Sequence, residues 1–212
     1  VDFVGYRPED RTLDLAIPTK LPSPGRQALS EFDSMKLLRE YGIPTPKGGL
    51  ASTAEEAVDA AAQCGGPVAL KVASADILHK TDAGGVKLNL SGPGEVKKAF
   101  DEIMASVRHY NPRAVIDGVF VQEMLKPGLE VSVGVNNDPQ FGPMVLCGLG
   151  GVFVEIFKDT ALYPAPLNEN EARMMLKRLK AWPMLGGYRG RSPLDVEALV
   201  RTIAAVGRLA SD

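Results

Sequence analysis

Leu70-Lys71-Val72, followed at short range by Ile77-Leu78-His79-Lys80-Thr81-Asp82-Ala83-Gly84-Gly85-Val86-Lys87, organises the reading of the whole chain. A lysine leaves an apolar strand, and a histidine, a second lysine, a glycine pair and a third lysine follow. Ammonium groups and the backbone N–H groups of a glycine turn both bind phosphate. A histidine among them is placed to contact a phosphate or to carry one. The pattern points to a nucleotide site built for phosphoryl transfer.

Outward from this stretch, Pro67–Val72 reads as a buried strand that delivers Lys71, and Val86–Leu90 as the return strand, apolar residues alternating with Lys87 and Asn89. Upstream, residues 1–26 hold Pro8, Pro18, Pro22 and Pro24 with little periodicity, the composition of a linker or leader. A helix is expected from Ser30, with Glu31 at its capping turn, to Gly42. A second follows Ser52-Thr53-Ala54-Glu55-Glu56, which has the capping-box spacing, and stops at Gly65-Gly66. Downstream, a helix is expected over about 94–108, then strands at Gly118–Met124 and Glu130–Val135. Asn137-Asp138-Pro139 turns the chain into a strand at Pro143–Cys147. Gly148–Gly151 forms a second glycine loop before a strand at 152–157, and helices are expected near 168–181 and 193–210. Short turns between strand pairs require antiparallel pairing, so the class is α+β.

With 212 residues, 45% apolar and 24% charged, the chain has ample core and the composition of a folded protein. A formal net charge of -2 offers no attraction to nucleic acid or an anionic membrane. No apolar run approaches the ~20 residues of a membrane helix, and no signal peptide is visible. Cys64 and Cys147 fit neither a CxxC metal pattern nor a disulfide framework, so buried free thiols and a cytoplasmic location are expected. A start at Val1 and an end at Ser211-Asp212, just after an apolar helical stretch, point to a piece of a longer polypeptide.

Taken in order, Tyr41-Gly42-Ile43-Pro44, Leu70-Lys71, His79–Val86, the Gly134–Gly142 region, Gly148-Leu149-Gly150-Gly151 and Gly187-Tyr188-Arg189-Gly190 resemble the ATP-grasp domain of ADP-forming acyl-CoA synthetases. The resemblance runs from about Leu29 to Ala210 and extends more distantly to the β subunit of succinyl-CoA synthetase. It implies two α+β lobes with the nucleotide between them, a small lobe at 27–120 and a large one at 121–212. The N-terminal helix is free to pack on either lobe. The implied reaction converts acyl-CoA, ADP and phosphate to acid, CoA and ATP through phosphohistidine, with magnesium. The implied partners are CoA-binding and ligase domains of the same or another chain, and an oligomer is open.

Carried over by residue, the resemblance makes Lys71 and Lys80 phosphate ligands and Gly84, Gly85 and Val86 a loop closing on the phosphates. Glu123 and Met124 become an adenine-reading hinge, Glu130 a ribose contact, and Gly150 and Gly151 part of the cleft. His79 matches a loop histidine of the ADP-forming branch, where it looks like a second phosphoryl carrier. The family closes with acidic residues and an Asn-Pro strand that hold magnesium, and nothing of the kind follows Val206. Glu155 and Asp159 are the remaining candidate oxygen ligands, and the piece alone is expected to be inactive. Two rivals stand beside this reading: a non-catalytic nucleotide- or CoA-sensing domain fused to an acetyltransferase, and an ATP-grasp carboxylate ligase without a histidine carrier. On residue type alone, His109 is a helix-terminal residue, Lys87 ordinary surface and Trp182 packing. Arg189 fits a structural bridge and a phosphate contact equally.

Overall fold

The structure, a computed structural model, describes Leu29 and residues 31–151, 159–187 and 193–212. The expected leader, the strand at 152–157 with Glu155, and Tyr188, Arg189 and Gly190 lie outside the described residues. Two compact units divide the chain. One holds the helix before Tyr41 and Pro44–Pro127; the other holds Tyr41–Ile43 and Gly128–Asp212.

In the first unit, β1 (Gly48–Ala51), β2 (Val68–Ala73), β3 (Val86–Leu90) and β4 (Gly118–Glu123) form one sheet in the order β1-β4-β2-β3. Every pairing is antiparallel. Side chains alternate across a strand, and this divides the unit. Val68, Leu70 and Val72 of β2, with Val119 and Val121 of β4, join a buried core with Ala57, Val96, Phe100, Ile103 and Val107. The last five come from α2 (Ala54–Cys64) and α3 (Pro93–Tyr110), which cover that face. Lys71 and Phe120 are register partners on the opposite face. There α1 (Glu31–Glu40) sets the Phe32 ring 5.5 Å from that of Phe120, with Lys36 Nζ 4.2 Å above Phe32.

The helix ends follow local chemistry. Thr53 accepts the Glu56 N–H at 3.1 Å, and Glu56 reaches back to the N–H of Ser52. The expected box therefore closes one residue early. Gly65, at φ 74°, ends α2 in the left-handed conformation that glycine adopts without strain.

The second unit is a sheet of β5 (Val131–Asp138), β6 (Gly142–Leu149) and β7 (Thr160–Pro164), antiparallel in that order. The turn expected at Asn137-Asp138-Pro139 falls later, because Asn137 and Asp138 still pair with β6; Asp138 Oδ1 accepts the N–H groups of Gln140 and Phe141 within it. Among the described residues the helices of this unit are α4 (Glu169–Lys177), α5 (Trp182–Leu185) and α6 (Val196–Leu209). Asn168 and Glu171 close a reciprocal capping box on α4. Helix α6 buries Val200, Ile203 and Ala204 and brings Gly207 so close to Leu167 that a side chain there would collide with it.

Several expectations differ from the structure. Strands β1 and β7 are not expected from the sequence: Gly48-Gly49-Leu50-Ala51 and Thr160-Ala161-Leu162-Tyr163-Pro164 are short, and with one buried residue each they lack an apolar alternation. Gly148 and Leu149, expected in the glycine loop, are the last residues of β6. The helix expected to 181 ends at Lys177, where Asp159 takes the Lys180 and Ala181 N–H groups that would otherwise continue it. Among the described residues no helix is long and apolar enough to cross a membrane.

Candidate functional site

Lys71 is the one partly exposed residue of an otherwise buried strand. Its Nζ donates to Glu31 Oε1 at 2.6 Å and to Gln122 Oε1 at 3.0 Å. Lys80 Nζ donates to the other Glu31 oxygen at 3.0 Å. One carboxylate at the start of α1 therefore bridges both lysines, and all three side chains keep a quarter to a third of their surface in water. Burial pushes the Glu31 carboxyl up, but hydrogen bonds to Lys71 and Lys80, and then their charges, outweigh it and hold the group below its ordinary value. Two ammonium groups so gathered and still open to solvent have the chemistry that binds polyanions.

His79 is exposed and adjoins Lys80. Its carbonyl accepts the Ala83 N–H at 3.2 Å, which starts the tight turn leading to the glycine pair. Gly84, at φ 66°, donates to Thr81, and Gly85 donates to Lys80 at 2.7 Å. A side chain on Gly84 would press on Ser106, and one on Gly85 on Val72 Cγ1 at 2.6 Å. Val86 continues into β3 opposite Lys71. The glycines are required here for close packing, and their N–H groups are already bonded to carbonyls. The cationic character of the loop resides in its side chains.

Glu123 closes β4 and is tied to Lys47 twice. Its Oε1 accepts the Lys47 N–H at 2.7 Å, and its own N–H reaches the Lys47 carbonyl at 2.9 Å. Met124 donates its N–H to Pro67. In the second unit, Glu130 is exposed beside the Gly150-Gly151 turn, its carbonyl accepting the Gly150 N–H at 2.7 Å. Asp159 is held by two backbone bonds, from Lys180 at 2.9 Å and Ala181 at 2.8 Å. Among the described residues no three His, Cys, Asp or Glu side chains converge as a metal would need. Magnesium carried on nucleotide phosphates needs only one or two carboxylates from the protein.

Both cysteines are free and buried, as expected, and burial raises the Cys147 thiol to about 11. Sequence reasoning missed Glu31 and Gln122 as members of the lysine cluster. An acidic residue at the start of a helix reads locally as a partner for the helix dipole. The only cue to its second role was an acid upstream of a lysine pair that needs a counter-charge.

An antiparallel α+β unit with a bridged lysine pair, and a histidine adjacent in sequence to one of the two, has the chemistry of a phosphate-binding domain. The chain belongs to the ATP-grasp family, whose domain model matches residues 20–212. It is 45% identical over 198 residues to the β subunit of acetate–CoA ligase (ADP-forming) II of Pyrococcus furiosus, covering 93% of this chain and 84% of that one. It superposes with a TM-score of 0.82 and 44% identity on the Ca. Korarchaeum cryptofilum dinucleotide-forming acetyl-coenzyme A synthetase 1 solved with coenzyme A and Ca-AMPCP, covering 88% and 82%. A Mg-AMPPCP complex of that enzyme has a phosphohistidine segment pointing towards the nucleotide-binding site. It matches with a TM-score of 0.74 and 40% identity over 86% of this chain and 79% of that one.

Proposed function

We propose that the chain is the nucleotide-binding, phosphoryl-transferring part of an ADP-forming acyl-CoA synthetase. The observation that carries this is the Lys71–Glu31–Lys80 cluster beside His79, in a chain 45% identical to the β subunit of such an enzyme. Acyl-CoA and phosphate exchange on the CoA-binding partner, releasing CoA and leaving an acyl phosphate. An imidazole nitrogen takes the phosphoryl group and frees the carboxylate. A terminal oxygen of ADP then takes it from the imidazole to give ATP. Lys71 and Lys80 bind the terminal phosphates and offset the charge on the group in transfer.

His79 is the loop nucleophile, exposed where a second protein surface can reach it. Gly84, Gly85 and Val86 hold the turn that presents it. Glu123 and Met124 are the residues proposed for adenine, Glu130 for a ribose hydroxyl, and Gly150 and Gly151 for the turn beneath Glu130. A divalent metal accompanies the nucleotide, as in the magnesium complex of the related enzyme. The partner carries the CoA-binding and ligase functions, and the reaction is placed in the cytoplasm.

Calorimetric titration with ADP tests the nucleotide site. Micromolar-range binding that Lys71→Ala weakens at least tenfold is expected; equal binding by both would overturn the assignment. Acid-labile, base-stable label on the wild type, formed from γ-labelled ATP and absent in His79→Ala, is expected of the carrier. Label that persists in the variant would remove His79 from that role.

A further inference from the structure

We propose that Glu31 is the positioning residue of the phosphate site, holding Lys71 and Lys80 as one two-ammonium clamp fastened to strand β2. The inference deepens the proposed nucleotide reading and rests on it. Two like charges drawn to one place repel, and unneutralised lysines on flexible stems would splay into water. Glu31 puts one oxygen on each ammonium, at 2.6 and 3.0 Å.

The carboxylate bridges without blocking. An ammonium group has three N–H donors. Lys71 spends two, on Glu31 and Gln122, and Lys80 spends one, on Glu31. The remaining donors, on groups about a quarter exposed, are available to phosphate oxygens. Glu31 is itself held in place: the next residue, Phe32, packs at a tilt against Phe120, the register partner of Lys71. The bridge also fastens the turn, because Lys80 accepts the Gly85 N–H and directly follows His79. One contact at the head of α1 thus sets both the spacing of the lysines and the mooring of the histidine turn.

The test compares the wild type with Glu31→Gln, Glu31→Asp and Lys71→Ala, titrated with ADP by calorimetry and with adenosine by ligand-observed NMR. Gln keeps the shape and removes the charge. Asp keeps the charge but is too short to reach both lysines. For Glu31→Gln about a tenfold loss of ADP affinity is expected, for Glu31→Asp a loss of several-fold, with adenosine binding unchanged in both. Adenosine carries no phosphate, so it reports general damage to the fold or site. Wild-type or tighter ADP binding by Glu31→Gln overturns the proposal, tighter binding meaning that the carboxylate merely competes with phosphate. Equal losses for ADP and adenosine overturn it as well. Unchanged ADP binding by Lys71→Ala would instead overturn the nucleotide reading, and the clamp with it. A loss in Lys71→Ala alone leaves that reading standing and removes Glu31 from it.

Discussion

The Gly150 N–H donates to the Glu130 carbonyl at 2.7 Å, and a side chain on the next residue, Gly151, would run into Glu130 Oε2. The turn after β6 therefore favours glycine at 151 through its φ of 59°, with a movable carboxylate above it. Gly151→Ala is expected to cost about 1–2 kcal/mol, mostly from the left-handed backbone, since Glu130 can swing aside. Urea unfolding measures this, and an unchanged midpoint would mean the turn relaxes freely.

Gly85 offers a sharper contrast with Gly66. A methyl group on Gly85 would meet Val72 Cγ1 at 2.6 Å and the Lys80 carbonyl at 3.1 Å, whereas one on Gly66 meets nothing within 4 Å. Gly85→Ala is expected to lose roughly 1–3 kcal/mol by overpacking. Gly66→Ala should be neutral or slightly stabilising through the unfolded chain. Equal effects in denaturant melts would contradict the packing account of the glycine pair.

Asp159 brackets the chain between α4 and α5 through its two backbone bonds. Asp159→Asn leaves one amide N–H facing an NH2 group, and about 1–3 kcal/mol of stability should go with it. The loss is expected to be the same with and without magnesium. A loss seen only in the presence of the metal would make Asp159 a ligand.

The Glu31 bridge predicts a pH signature of stability. Burial alone would raise this carboxyl, yet Lys71 and Lys80 hold it below its ordinary 4.5. A depressed carboxylate contributes stability that is present above the unfolded value and lost as pH falls through the folded one. The gap in unfolding free energy between wild type and Glu31→Gln should be full well above 4.5 and shrink as pH falls below it. A gap constant over that window would show that the bridge adds nothing to the folded state.

Much of the fold was legible because it rests on local signals. Thr53 with Glu56, Gly65 at its positive φ and Asp138 in its turn each act through neighbours a few residues away. The alternation in β2 placed Lys71 on one face and Leu70 and Val72 on the other. Strand β7 was not legible, because its pairing with β6 supplies what its own five residues do not encode. The glycine pair was recognised as special, but not the reason: contacts with Ser106 and Val72 come from α3 and β2.

From its own letters the sequence determined the α+β class, most elements, the family resemblance and the presence of lysines and a histidine suited to phosphate. These depend on spacing, capping and backbone preference, interactions that act over a few residues. Tertiary structure decided what joins the lysines. Glu31 lies 40 residues from Lys71 and 49 from Lys80, and it reaches them because α1 lands on the face of the sheet opposite α2 and α3, anchored through Phe32 on Phe120. Which face a helix covers is settled by packing of the whole unit, and a charge bridged across that distance leaves no periodic trace in the chain.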